Sequence, residues 1–219
     1  IIIPAYNEEK NIKETLNSVL SLDYPKNRVE VIVVNDGSKD KTADRVKEII
    51  RSNKDRRIIL INQENKGKGA AMNTGLAKAK GEYFASLDAD SYVKKDTLQI
   101  LLPLFKKNVA AALPLIKLSE KDSFMRKMQS CEYIVNFFYK MQMGRINSIH
   151  VTPGPFSVYR TDIVHKLGGY DEGNLTEDME LALRIQKNNY KIVQSDIAEV
   201  YTKAPVDFRS YKKQRNRWY

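Results

Sequence analysis

Short runs of β-branched residues alternate with amphipathic stretches over roughly the first ninety positions, and this alternation constrains the fold more than any other feature of the chain. Ile1–Ile3, Val29–Val34, Ile58–Ile61 and Tyr83–Leu87 are near-continuous apolar runs, interrupted only by Glu30 and Ser86, and read as buried strands of a parallel sheet. Between them, Ile12, Leu16, Val19 and Leu20 share one helical face. So do Val46, Ile49 and Ile50, and so do Met72, Leu76 and Ala79. Pro25 ends the first of these helices, and Ser38 or Asp40 is placed to cap the second. The order predicts an α/β domain with a right-handed, doubly wound sheet.

The second half is less regular. Asp96–Lys107, Ser123–Met143, Glu177–Asn188 and Phe208–Tyr219 read as helices, and Val151–Tyr159 as a Pro-Gly-Pro turn entering a short strand. Lys191–Val193 and Ala198–Thr202 read as two further short strands. Phe124, Met128, Phe137, Phe138 and Met141 form an aromatic and methionine stripe, expected to be core or an inter-helix contact rather than a lipid or acceptor surface. No repeat, low-complexity tract or linker divides the chain. One domain is expected over 1–219, with a nucleotide-binding half (1–90) and an acceptor-facing half (91–219).

Composition narrows the function classes. A chain of 219 residues buries a sizeable core without staples, and the lone Cys131 excludes an internal disulfide or a cysteine-built zinc site. No apolar run reaches the ~20 residues that cross a bilayer; the longest, Val109–Ile116, contains Pro114. The chain starts at Ile1 without an initiator methionine and stops at Tyr219 without a polar tail, which reads as a catalytic fragment of a longer protein. A net charge of +10 and a pI near 9.5 favour a polyanionic partner, whether nucleic acid, acidic lipid or a phosphorylated substrate. The basic residues are scattered and no nucleic-acid motif appears, so a nucleic-acid binder ranks last.

In an open parallel sheet, ligands bind beyond the carboxyl ends of the strands. There the chain places Pro4-Ala5-Tyr6-Asn7-Glu8, Asn35-Asp36-Gly37-Ser38 and Asp88-Ala89-Asp90. In an extended segment Asp88 and Asp90 point the same way, and two hard oxygens suit Mg2+ or Mn2+ shared with a diphosphate; a solvated turn also accounts for them. Asp36 reads equally as an acceptor for a base or ribose and as half of an Asp-Gly turn. Lys66-Gly67-Lys68-Gly69 opens a helix with backbone N–H groups and a cation suited to an anion. It lacks the Walker ending and the dinucleotide glycine spacing, which makes a P-loop ATPase and a dinucleotide dehydrogenase both poor readings. Thr176-Glu177-Asp178 is explained on its own as a helix N-cap with acids in the first turn. His150 and His165 have no support as ligands.

Taken in order, these segments resemble a family 2 glycosyltransferase of the GT-A fold, a Rossmann-like nucleotide-sugar-binding domain with a mostly parallel sheet flanked by helices. The resemblance runs from Ile1 to Trp218 through Pro4–Glu8, Asn35–Ser38, Gly67-Lys68-Gly69 with Asn73, Asp88-Ala89-Asp90, Pro153-Gly154-Pro155-Phe156-Ser157, Thr176-Glu177-Asp178 and Gln214-Arg215-Asn216-Arg217-Trp218. The last segment is similar to the branch that contains cellulose, chitin, hyaluronan and poly-N-acetylglucosamine synthases. The resemblance implies that Ala5, Tyr6, Glu8 and Asp36 hold the uridine, Lys68 and Asp88 seat the diphosphate and donor sugar, and Asp90 ligates Mg2+ or Mn2+. It further implies Asp178 as general base, Glu177 beside it in the substrate site, Gln214 and Arg217 on the diphosphate, and Trp218 stacked on the acceptor sugar. Pro153–Ser157 departs from the cellulose synthase form, which counts against cellulose as product.

The implied activity is an inverting, metal-dependent transfer of a hexose or N-acetylhexosamine from a UDP-sugar to a carbohydrate acceptor. The expected setting is the cytoplasmic face of the cell membrane, with membrane-spanning segments outside this chain. A non-processive transferase to a polyprenyl phosphate and a non-catalytic nucleotide-sugar-binding module are the alternatives. The basic end, with Lys212, Lys213, Arg215 and Arg217, suits an anionic lipid surface or a phosphate acceptor.

Overall fold

The computed structural model describes residues 1–120 and 122–216, and the β-branched runs become its first strands. The chain runs through β1 (Ile2–Ala5), α1 (Ile12–Leu20), β2 (Glu30–Asp36), α2 (Thr42–Ser52), β3 (Arg57–Gln63), α3 (Lys68–Lys78) and β4 (Tyr83–Ser86). All their pairings, β3 on β2, β2 on β1 and β1 on β4, are parallel. Successive β1 residues point to opposite faces. Ile3 packs with Leu16, Val19 and Val46 of α1 and α2, while Ile2 packs with Met72 and Leu76 of α3. Each fully buried isoleucine contributes on the order of 2–3 kcal/mol of apolar transfer. Helices therefore cover both faces, and α3 lies so close that a Cβ on Gly75 would collide with the Ile2 side chain.

Beyond β4 come β5 (Ser91–Val93), α4 (Thr97–Leu101), β6 (Val109–Leu118), α5 (Phe124–Arg145), β7 (Ser157–Arg160), α6 (Thr161–Lys166), α7 (Glu177–Lys187), β8 (Lys191–Thr202) and α8 (Phe208–Arg215). The eight strands form one mixed sheet in the order β3-β2-β1-β4-β7-β6-β8-β5. β7 is antiparallel to β4 and β6, β8 is parallel to β6, and β5 is antiparallel to β8.

Three expectations change here, and one strand appears for which the sequence reading made no assignment. The helix expected over Asp96–Lys107 shrinks to α4 and a single 3-10 turn, Leu102–Leu104, because Pro103 lacks the N–H that a longer α-helix needs. The run Val109–Ile116 is an inner strand, with Pro114 accommodated where the register shifts between Leu113 and Leu115. The two strands expected at Lys191–Val193 and Ala198–Thr202 are one, β8, locally turned where the Ser195 hydroxyl accepts from the N–H groups of Ile197 and Ala198. Finally, the α5 stripe is not core. Phe124, Met128 and Phe138 are exposed and Phe137 and Met141 only half-buried, while Arg126 and Gln129 are buried. The helix turns its polar side inward, where the Gln129 amide donates to the Pro205 carbonyl and Arg126 pairs with Glu120 and Asp122.

Candidate active site

The loops leaving β1 and β2 interlock at one end of the sheet. Asn7 sits at φ 57°. Its N–H donates to the Ser38 hydroxyl, and its side-chain carbonyl accepts from the Lys39 N–H. The Glu8 N–H donates to the Thr42 hydroxyl, and Asp40 accepts from the Thr42 and Glu9 N–H groups. This cross-linking fixes Ala5 (buried), Tyr6 (exposed) and Glu8 (half-buried) on one rim.

Asp36 is buried and fully engaged. Its carboxylate accepts from the Gln63 amide at 2.8 Å and from the N–H groups of Lys66 and Gly67 at 3.0 and 2.9 Å. It therefore anchors the loop that leads to Gly67 and Lys68, a structural duty the sequence did not disclose. Gly67 stands at φ 91°, a conformation that favours glycine, and opens α3 with Lys68 in its first turn.

Lys68 organises the centre. Its ammonium lies 2.6 Å from Asp88, at the end of β4, and 3.6 Å from Glu177, at the start of α7. Burial alone pulls the ammonium down, but Asp88, Glu177 and Asp178 outweigh it and hold its pKa above the ordinary lysine value. Glu177 and Asp178 are both raised, first by burial, with Lys68 opposing. Gly154 backs this cluster, and a Cβ there would strike both Asp88 carboxylate oxygens and the Lys68 ammonium. A cavity of about 10 Å³, the size of one water, lies among Lys68, Ser86, Thr152, Gly154, Tyr170, Glu177 and Asp178.

Asp90 is the acid least comfortable when ionised. Burial first, then the charges of Asp88 and Glu8, push it up to about 6. Glu8 is raised chiefly by burial, and Asn11 donates to it at 2.7 Å. Like charges crowded at a strand end suit a divalent cation that would relieve them. Among the described residues, no three metal-ligating side chains converge. That donor set fits Mg2+ or Mn2+, which take one or two carboxylates and complete their shell with substrate phosphate and water.

Asp178 lies across the cavity in the first turn of α7. Thr176 stands at the N-cap position but does not cap, because its hydroxyl is directed to Asn174. The Asp178 carboxylate instead accepts from the Met179 N–H at 2.8 Å, and its carbonyl accepts from the Thr152 hydroxyl at 2.9 Å. Asn73 of α3 holds the preceding loop, accepting from the Tyr170 N–H and donating to the Tyr170 carbonyl and to Glu172. The inward side of α5 faces this cleft. Tyr133, raised to about 12 by burial, feels Asp88, Asp90 and Arg215, and Lys140 feels Asp178.

Of the expected site residues, Lys68, Asp88, Glu177 and Asp178 form one cluster, with Asp90 and Glu8 beside it. Gln214 is half-buried on α8 and makes no hydrogen bond with these residues among the described ones; Arg217 and Trp218 lie outside the described residues. His165 is exposed on α6, and the His150 ring packs on Tyr139 at 5.8 Å. Tyr133 and Lys140 went unnoticed in the sequence. The available signal was their spacing of two helical turns on the side away from the apolar stripe.

Comparison with known proteins gives a consistent picture. The model of the family described as glycosyl transferase family 2 matches residues 1–168. The probable glycosyltransferase YdaM of Bacillus subtilis is 33% identical over 225 residues, covering 100% of this chain and 53% of its own length. The poly-beta-1,6-N-acetyl-D-glucosamine synthase of Staphylococcus epidermidis is 32% identical, with 99% and 52% covered. The chain thus spans about half the length of these curated relatives. Among solved structures, the mannosyltransferase PcManGT of Pyrobaculum calidifontis, in complex with GDP-Man and Mn2+, superposes with a TM-score of 0.84 over 99% of this chain and 59% of its own. At 24% identity, it speaks for the fold alone. S. aureus TarS 1-349 in complex with UDP-GlcNAc is 26% identical, with a TM-score of 0.70 and 94% and 58% covered.

Proposed function

The chain belongs to glycosyltransferase family 2, and on that premise we propose that it performs an inverting, metal-dependent transfer of a hexose or N-acetylhexosamine from a UDP-sugar to a carbohydrate hydroxyl, forming a β-glycosidic bond in polysaccharide synthesis. The observation that carries the reading is the grouping of Asp88, Glu177 and Asp178 around Lys68, with Asp90 alongside. A binding module has no use for a half-buried carboxylate across the cavity from the diphosphate cation. A transferase does, because the attacking hydroxyl must lose its proton.

In this reading Lys68 offsets charge on the departing diphosphate, and Asp88 holds Lys68 in place. Asp90 would hold Mg2+ or Mn2+, with Asp88 nearby, and the bound ion would supply further neutralisation of the diphosphate. Asp178 accepts the proton of the acceptor hydroxyl. Its pKa, raised by burial, makes it a stronger base than an exposed aspartate, while the Lys68 charge favours its ionised form. The UDP-linked donor is supported by the TarS complex with UDP-GlcNAc, and the N-acetylhexosamine by the synthase relative.

We place the domain at the cytoplasmic face of the cell membrane. No helix among the described residues is long and apolar enough to cross a bilayer. Support comes from the exposed apolar stripe of α5, whose Phe124, Met128, Val135 and Phe138 suit the headgroup boundary, and from the net charge of +10, which suits anionic lipid.

Calorimetry of UDP binding tests the metal and the nucleotide together. UDP affinity is expected to rise with Mn2+ or Mg2+ over EDTA, and Asp90→Ala is expected to lose that rise. Equal UDP affinity with EDTA and with excess metal overturns the assignment.

A further inference from the structure

Ser91 and Thr202 stand directly opposite each other where β5 pairs antiparallel with β8, so their side chains share one face of the sheet. That face is the inward one. Val93 and Val200, the next pair on the same face, belong to the core, and Ser91 and Thr202 are buried beside them. A buried hydroxyl is costly unless its hydrogen finds an acceptor. The Ser91 hydroxyl oxygen lies 2.9 Å from that of Thr202 and 3.2 Å from Oδ1 of Asp90. Two hydroxyls carry two hydrogens, and the bond between them uses one. Among the described residues, the other has Asp90 Oδ1 as its acceptor. The order follows: Thr202 donates to Ser91, and Ser91 donates to the carboxylate, which when ionised is the strongest acceptor of the three. The backbone on either side is held as well. The Ser91 N–H donates to the Asp88 carbonyl at 3.0 Å, and the Ala89 carbonyl accepts from the Thr15 hydroxyl at 2.8 Å. The Thr202 carbonyl accepts from the Ser119 N–H at 3.1 Å, and the next residue, Lys203, donates to the Asn11 side chain at 2.9 Å.

We propose that Thr202 and Ser91 form a buried hydroxyl relay that orients the Asp90 carboxylate for a divalent cation. The inference rests on Asp90 as the metal ligand and adds the residues that position it. Ser91 takes one lone pair on Oδ1 and leaves the rest of the carboxylate to the ion. With its backbone and one oxygen already held, Asp90 has less side-chain freedom to lose when the ion arrives. Partners that orient a ligand in this way are typically worth about 10- to 100-fold in metal affinity. Ser91 has no exposed surface, so bulk water does not reach its place when the hydroxyl is deleted. Both residues act through Asp90 and are positioning residues. A hydroxyl pair that only fastens β5 to β8 would affect unfolding and leave the ion alone.

The test is the Mn2+ concentration that gives half of the rise in UDP affinity, read by calorimetry in the full-length protein, with UDP affinity in EDTA measured beside it. Ser91→Ala and Thr202→Val are each expected to raise that concentration by about 10- to 100-fold, with metal-free UDP affinity within about twofold of wild type. Thr202→Ser keeps the hydroxyl and is expected to stay within about threefold of wild type. Because both residues act along one chain, the double variant is expected to match Ser91→Ala alone within about twofold. If Asp90→Ala loses the Mn2+ response while Ser91→Ala keeps the wild-type dependence, the relay is refuted and the ligand survives. Losses that multiply in the double variant, or equal losses in Thr202→Ser and Thr202→Val, also refute it, since packing and not the hydroxyl is then responsible. If the wild type shows no Mn2+ response, or Asp90→Ala retains it, the underlying reading fails instead. If Thr202→Val does not fold, Ser91→Ala, which removes a single oxygen, decides.

Discussion

Replacing Lys68 by methionine removes the cation that lies 2.6 Å from Asp88 and 3.6 Å from Glu177. Deleting one partner of a fully buried pair costs about 3–5 kcal/mol, because the remaining charge is left uncompensated. The Lys68 side chain keeps 38% of its surface open to cleft water, so screening reduces the expected loss to about 2 kcal/mol. For a domain of 219 residues, that is a drop in Tm of roughly 4–8 °C. The pH dependence has a definite sign. The folded pKa of Lys68 lies above its unfolded value, so its contribution is fully present at neutral pH and is lost only as pH rises through the folded value. On the acid side its partners disappear. Glu177 and Asp178 already titrate above the ordinary carboxylate range, and without Lys68 they move higher still. The stability difference is therefore largest near pH 7.5 and shrinks as pH falls through the raised range in which Glu177 and Asp178 take up protons. Adding Asp88→Asn to Lys68→Met should recover about 1 kcal/mol of that loss as a coupling energy. Urea unfolding by circular dichroism in EDTA, at pH 5 and pH 7.5, measures both. An equal loss at the two pH values, or no recovery in the double variant, would refute the view that Lys68 is held by charge rather than by packing.

Two further outcomes follow from the same geometry. Gly154→Ala drives a methyl into the Asp88 carboxylate and the Lys68 ammonium, so UDP affinity measured by calorimetry should fall at least about tenfold, while the circular dichroism spectrum stays native. Asp36→Asn removes one of two anionic oxygens that anchor the Lys66 and Gly67 N–H groups and turns an NH2 toward a donor. It should cost about 1–3 kcal/mol in urea unfolding and raise the donor KM, even though Asp36 need not touch the nucleotide.

The first half of the fold was legible because β1, β2 and β4 are buried on both faces, the edge strand β3 is a continuous apolar run, and each helix has a single apolar side. Residues such as Val33 and Ile32 then announce themselves by composition alone. The second half hid its sheet. Pro114 disguised β6, and the local turn at Ser195 split β8 into two apparent pieces. Periodicity revealed that α5 has an apolar side, but not that this side turns outward; the polar cleft that claims Gln129, Tyr133 and Lys140 is assembled from distant segments. At the site, the acids at strand ends were legible from position. The duty of Asp36 was not, because its partners Lys66 and Gly67 arrive from a loop 30 and 31 residues away. Asp178 was ambiguous in the sequence, where a helix-start acid explains itself. In the structure it lines the same cavity as Lys68, and the base is the reading we propose for it.

The turnover of Asp178→Asn in the full-length protein, with UDP-GlcNAc, Mn2+ and a β-1,6-linked N-acetylglucosamine oligomer, tests the account most directly. An acid that only favours the helix dipole contributes at most about 1 kcal/mol, and its amide should turn over almost normally. As the base, Asp178 takes a proton that an amide cannot, so kcat should fall by about 10²–10⁴-fold. UDP affinity should persist, since Lys68 keeps Asp88 and Glu177 as partners. Glu177→Gln, measured alongside, should lower kcat less. A loss of that size with native folding and UDP binding is the predicted result, and activity of Asp178→Asn within about threefold of wild type contradicts the account.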